Sequence, residues 1–529
     1  MLVDIIKKYW RKNLVALVLT AIESGGIILS TVFLAQIMNG LIEKNQSKFI
    51  RSFITSLFLW GVALLFGYLK QRYVESVKQQ QIIELREKII VNVSNSSFEI
   101  FHLRNSNEYI SWLTNDMNII EEQGLGNLYS GMSSATLLAF SAIAIYNFNW
   151  ILLLLSVLIS MIMFIIPKFF KHRLDFRNKA VSKTFELYVS KVDEWVRGFD
   201  LLLSYNKTNM IIEKLRGVNE AVKKEKIDLK KEKSILNTLI RLISVLAQYG
   251  IILVTGVMVL FGHLKAGTIF AIGDLTGNFF GNTSFFMEEI TNFLSAISIT
   301  EKIENFIYSK KDEEFPVSKE YNFSEKISVK NVSYCYGDKN IQIPNMSFLK
   351  TGKYAIVGKS GTGKSTFLNI LTRNLTKYKG SIYFDEQELS EIDLHEFRNN
   401  ITYIPQKSYV FDMSLEENLS LESSFTESEI NLVIKDMDLV EQAKIYKASL
   451  GIQGTNLSGG QAQRVELGRG ILHAKDVLII DEGTSNLDLK TSYMIEKNIL
   501  MNTNLTVIFV THHLNDELRE LFNEVYTFS

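Results

Sequence analysis

At 529 residues the chain is too long for one ordinary hydrophobic core, and its texture changes near residue 310, which predicts two domains. Lys plus Arg and Asp plus Glu both number 57, so no global field draws in nucleic acid and a DNA-binding role loses its main support. The single Cys335 excludes an internal disulfide framework and a cysteine-rich metal site, and only four prolines are present to interrupt helices.

The first 300 residues contain apolar runs at 14–34, 53–69, 128–146, 151–169, 239–260 and 269–299, each a candidate to cross a bilayer core of about 30 Å. This predicts a six-helix, all-α transmembrane domain over residues 1–305 with long cytoplasmic extensions. Residues 151–166 carry no charge, which a soluble helical core rarely requires. The amino-terminal segment has basic residues before its apolar run but no small-residue cleavage site, so it reads as a retained first span. The long charged stretches 70–124 and 171–233, with Lys7, Lys8, Arg11 and Lys12, are far richer in Lys and Arg than the short loops. By the positive-inside rule they face the cytoplasm, as do both termini.

Within the last run, Asp274, Asn278, Asn282, Glu289 and Asn292 fall on one helical face. Such a stripe avoids lipid, so with Glu23 of the first span it is a candidate cavity lining for a transported substrate. The competing structural account is that these side chains satisfy one another between helices.

After a linker at 306–320, residues 321–529 switch to short β-rich runs and helices, the pattern of a soluble α/β P-loop domain with an antiparallel β subdomain. The strand KYAIVG leads into Gly358, Lys359, Ser360, Gly361, Thr362, Gly363, Lys364, Ser365 and Thr366, then an apolar helix, which is the context of a nucleotide-binding loop. Its glycines let backbone N–H groups wrap phosphates, Lys364 reaches the outer phosphates, and Ser365 can ligate Mg2+. Downstream, four apolar residues deliver Asp481 and Glu482 to a strand end. There Asp481 would hold magnesium through water and Glu482 would orient and deprotonate the attacking water.

Between these motifs lies LSGGQ, with Ser458, Gly459, Gly460 and Gln461 opening a predicted helix. This stretch resembles the signature of ATP-binding cassette (ABC) proteins, and the order of the remaining motifs is similar to that of the family's exporters over essentially the whole chain. The resemblance implies a nucleotide-stacking role for Tyr336, a magnesium-sensing and coupling role for Gln406, a D-loop at 485–488 and a γ-phosphate contact from His512. It further implies ATP and Mg2+ as ligands and a signature segment that completes the nucleotide site of a second copy. Because every site motif is intact, a homodimer in a bacterial plasma membrane is the simplest implication. Residues 107–122 look like a first coupling segment and 197–206 like a second.

Three departures from the family pattern stand out: Gly483 replaces a usual proline, the segment before the signature is short and lacks its usual glutamate, and the chain stops soon after its last strand. The resemblance implies an ATP-hydrolysing exporter of a peptide or other amphipathic cargo, with any peptide leader cut elsewhere because no peptidase domain precedes the first span. A lipid or drug exporter, or a non-transporting ATP-gated sensor, stays open as an alternative.

Overall fold

The computed structural model describes residues 1–308, 321–336, 339–512 and 514–528. Most of the expected linker, residues 309–320, and the side chain of Tyr336 lie outside the described residues. The chain divides into a helical unit, Met1–Asn95 with Asn105–Ser309, and a second unit, Ser96–Arg104 with Lys310–Ser529.

The helical unit is built from α1 (Trp10–Ile42), α2 (Gln46–Ser94), a helical stretch ending in α4 (Asn127–Phe148), α5 (Trp150–Arg197), α6 (Asn209–Leu260) and α7 (Thr268–Tyr308); α3 (Phe98–His102) belongs to the second unit. At 1.5 Å per residue the 48 residues of α5 run to about 70 Å, far more than a bilayer core needs, so the helix continues well beyond it. Among the described residues, five helical stretches are long and apolar enough to cross a membrane. The sixth expected span lies in α7, where Asp274, Asn278, Asn282, Glu288 and Glu289 dilute the apolar character. Large apolar side chains such as Leu57, Phe58 and Leu64 are exposed on the outside of the bundle, while Ile28, Ile145, Leu152, Ile251, Ile272 and Phe280 are buried within it. An apolar exterior around a packed interior is the arrangement a lipid solvent selects.

In the second unit, β1 (Lys326–Tyr336) pairs antiparallel with β2 (Lys339–Gln342), β3 (Met346–Leu349) and β5 (Lys379–Phe384), and β6 (Gln387–Glu388) extends that sheet. The other sheet is wholly parallel, in the order β10 (Glu524–Phe528), β4 (Lys353–Gly358), β9 (Thr506–Thr511), β8 (Val477–Asp481), β7 (Ile401–Ile404). Both of its faces are covered, as parallel sheets require. Val477, Ile479 and Val510 pack on the same side as Phe367 and Leu371 of α8 (Lys364–Leu371). Leu478, Ile480 and Val507 pack on the other side, with Val465 and Leu467 of α9 (Gly459–Leu472) and Ile495 and Ile499 of α10 (Leu489–Met501). This period of two explains why β8 reads as an unbroken apolar run.

The segment Ser96–Arg104 joins this second unit through Glu99 of α3, whose carboxylate accepts from the Thr376 N–H at 2.9 Å and its hydroxyl at 3.1 Å. The expected first coupling segment, 107–122, lies in the helical unit, where it forms short α-helical and π-helical turns. The stretch that enters the second unit therefore lies just upstream of it.

Candidate functional site

The parallel sheet places the polar residues. Ligand sites in such sheets form beyond the carboxyl ends of the strands, and here β4 ends in the phosphate-type loop, β7 runs to Gln406, β8 to Glu482 and β9 to His512. Because β9 lies between β4 and β8, His512 emerges between the loop and the carboxylate pair.

The loop is shaped by backbone conformations that favour glycine. Gly361 and Gly363 have φ of 82° and 102°, and a Cβ at Gly363 would come within 2.5 Å of Ile341. A Cβ at Gly358 would meet the Phe528 carbonyl at 2.5 Å. Lys364, only 6% exposed, donates to the Gly358 and Lys359 carbonyls at 2.6 and 3.0 Å, so its ammonium lies across the inside of the loop. Ser365 is exposed, and Thr366 is buried at the start of α8.

Asp481 is buried and accepts from the Tyr403 hydroxyl at 3.3 Å. Burial, with the neighbouring Glu482 charge next, pushes its carboxyl above the ordinary aspartate range, although Tyr403, Lys364 and His512 act the other way. The two oxygens of Glu482 are held separately: Gln406 Nε2 donates to Oε2 at 2.8 Å, and His512 Nε2 lies 2.7 Å from Oε1. The other imidazole nitrogen, Nδ1, is 3.1 Å from the Gly358 carbonyl. A carbonyl only accepts, so Nδ1 is the donor in that contact. Glu482 itself has a left-handed backbone, φ 53°, an uncommon conformation for a residue with a side chain.

The Ser458–Gln461 turn is a capping box: Ser458 N donates to Gln461 Oε1 at 2.8 Å and Gln461 N to Ser458 Oγ at 3.2 Å. Gly459 has open space where a Cβ would stand. Among the described residues, no hydrogen bond joins this turn to the phosphate-type loop. Of the expected nucleotide-site residues, the fold therefore draws Lys364, Gly358, Gln406, Asp481, Glu482 and His512 into one linked cluster and leaves the signature turn separate. Tyr336 ends β1, with its side chain outside the described residues.

Tyr403 and Gln463 escaped the sequence reading. Tyr403 sits three residues before Gln406 in a short strand, and only the pairing of β7 with β8 brings it to Asp481.

In the helical unit the candidate cavity residues are mostly committed to neighbours. Thr31 donates to Asp274 at 2.7 Å, Asn278 donates back to the Asp274 carbonyl, and Asn282 to the Asn278 carbonyl. Glu23 pairs with Lys70 at 2.5 Å. One carboxylate oxygen of Glu289 is buried without a hydrogen-bond partner.

A glycine-rich loop, a carboxylate pair and a histidine at one sheet edge, in a chain with long apolar helices, suit an ATP-hydrolysing integral membrane protein. The comparisons then fix the family. The family model of the ABC transporter transmembrane region matches residues 14–283 and that of the ABC transporter matches 341–485, and the chain belongs to the ABC transporters. Similar proteins include the mesentericin-Y105 transport/processing ATP-binding protein of Leuconostoc mesenteroides, 25% identical over 92% of this chain and 69% of that protein. An ATP-dependent lipid A-core flippase of Blochmanniella pennsylvanica is 22% identical over 90% of this chain and 83% of its own. A bacterial Atm1-family ABC exporter solved with ATP bound shares the fold, with TM-score 0.86 and 17% identity, over 98% of this chain and 94% of that one. The chain is an ABC exporter by architecture.

Proposed function

We propose that two copies of this chain pair to form a complete ATP-driven exporter, with six spans per copy, both termini in the cytoplasm and the whole in a bacterial plasma membrane. The observation that carries the ATPase reading is Glu482, held between Gln406 and His512 at the mouth of the Lys364 loop. In this reading Glu482 activates water, His512 fixes its orientation, and Lys364, the glycine loop and Tyr336 bind the nucleotide. Ser458, Gly459, Gly460 and Gln461 serve the partner's nucleotide, in keeping with a turn that, among the described residues, makes no hydrogen bond to its own loop.

The residues present suit Mg2+. Ser365, Gln406 and Asp481 offer hard oxygen donors, and the buried Asp481 carboxyl has no cationic ion-pair partner among the described residues, the environment a divalent cation would relieve. Bound there, the ion would neutralise charge developing on the phosphates.

The cargo is a peptide or other amphipathic molecule. The similarity to proteins named for transport of mesentericin Y105 and lactococcin A supports it. The lipid A-core flippase similarity favours a lipid as the second reading. A panel of peptides, lipids and drugs tested for stimulation of ATPase activity in proteoliposomes decides between them. Peptide stimulation with uptake into sealed inverted vesicles is expected, whereas stimulation by lipid alone would overturn the cargo reading.

A further inference from the structure

The turn that follows β8 is held on both sides. Its first residue is Glu482, with the left-handed backbone described above, and the next, Gly483, has no room for a side chain: a Cβ would lie 2.7 Å from Ile480 and 3.0 Å from Leu467. Glu482 N donates to the Val510 carbonyl at 2.9 Å, which ties the turn to β9. On the α10 side, Glu496 accepts from Thr484 Oγ1 at 2.5 Å and from Ser492 Oγ at 2.8 Å. On the α9 side, one side chain does the work: Gln463, 3% exposed, donates from Nε2 to the Glu482 carbonyl at 3.2 Å and accepts on Oε1 from Asn486 N at 2.9 Å. Ser485 Oγ lies 3.5 Å from the same Nε2.

Both partners fix the amide's orientation, because a backbone N–H only donates and a carbonyl only accepts. The two bonds span residues 482–486, so Gln463 closes the turn as a brace. It also sits on the helix that the Ser458 turn begins, five residues from that cap.

We propose that Gln463 is a positioning residue for Glu482: it holds the strained turn so that the carboxylate faces the nucleotide loop, and it makes this turn and the D-loop move as one body with the signature helix. The proposal rests on the reading of Glu482 as the water-activating group. An amide is required because the brace needs a donor and an acceptor side by side on one flat group, which neither a carboxylate nor a thioether supplies.

The test uses the full chain in lipid nanodiscs, with Gln463→Met, of similar size and without polar hydrogens, and Gln463→Glu, which keeps the acceptor for Asn486 and loses the donor to Glu482. Both are expected to lower kcat by about tenfold to a hundredfold with KM for ATP within about twofold. In nucleotide-free protein, amide exchange over residues 482–486 should quicken by about tenfold while the sheet core stays protected. Turnover within about twofold of wild type, or exchange that quickens throughout the ATPase unit together with a lowered Tm, would overturn it. If Glu482→Gln itself hydrolyses ATP normally, the reading of Glu482 fails separately, and the exchange result still decides whether Gln463 braces the turn.

Discussion

The two units use polar groups in opposite ways. In the ATPase unit, Gln406, Glu482, His512, Gly358 and Lys364 form one connected chain of hydrogen bonds at a single sheet edge, assembled from four different strands. In the helical unit most polar contacts are scattered between pairs of helices, among them Ser30 with Ser56, Ser24 with Thr136, Glu23 with Lys70 and Thr31 with Asp274. The first arrangement concentrates charge where chemistry occurs; the second fixes helix to helix where water is scarce. Substitutions should therefore separate cleanly, with turnover lost in one unit and stability lost in the other.

The largest expected effect is Glu482→Gln. It keeps the size of the side chain and removes the proposed base, so phosphate release in nanodiscs should fall by about a hundredfold to a thousandfold while nucleotide still binds. Unchanged release would remove Glu482 from the mechanism. Next is Lys364→Met, which withdraws the ammonium from the loop and its bonds to the Gly358 and Lys359 carbonyls. Affinity for a fluorescent ATP analogue should weaken by about tenfold or more, because charge-assisted bonds of this type are worth roughly 1.5–3 kcal/mol each. Retained affinity would show that backbone N–H groups alone hold the phosphates.

How much of this was legible beforehand follows the same division. Contiguous motifs such as Gly358–Thr366 could be read because a loop that wraps phosphates needs its glycines and lysine at fixed spacing in one segment. Asp481 and Glu482 could be read because β8 is buried on both faces, so its apolar run ends where the acids begin. Tyr403 and Gln463 could not, since their partners lie 78 and 19 to 23 residues away and nothing in their own neighbourhood marks them. The contact of Glu99 with Thr376, 277 residues apart, was equally hidden, and similarity alone pointed to the segment just after it. In the helical unit, apolar runs announce helices, but the period of a stripe does not say whether its polar atoms meet a cavity or one another. Asp274 and Glu23 turn out to have side-chain partners, and those partners came from other helices.

A substitution in the helical unit probes the other half of the comparison. Asn13 Oδ1 accepts from Tyr129 OH at 2.7 Å and Gln81 Nε2 at 3.2 Å, and all three residues are buried, joining α1, α2 and α4. Asn13→Leu takes the acceptor from Gln81 Nε2 and leaves Tyr129 OH only its longer contact to Gln81 Oε1 at 3.3 Å, at a cost of roughly 1–3 kcal/mol. A fall in Tm of several degrees with the ATP KM preserved is expected from thermal unfolding and steady-state assays. A collapse of ATP binding without loss of Tm would break the division between the units.

The smallest effect sharpens the comparison within the ATPase unit, at a site remote from its chemistry. Asp385 gathers the chain as it enters the antiparallel sheet, accepting from the N–H groups of Ser324, Glu325 and Lys326 at 2.8, 2.6 and 2.9 Å and from the Tyr321 hydroxyl at 3.1 Å. Burial alone would raise its carboxyl, but the backbone donors from Ser324, Lys326 and Glu325, with the Ser324 hydroxyl, outweigh this and hold it below the ordinary aspartate value. A group depressed in the folded state contributes stability that is fully present above its unfolded value, about 3.9, and is lost as pH falls through the folded value. Asp385→Asn should therefore lower the Tm of the ATPase unit at pH 7 and flatten its dependence on pH below about 4, where the wild type loses the same contribution by protonation. Parallel Tm curves for the two proteins from pH 7 down to 3 would show that the carboxylate's charge is not what fastens the entry segment.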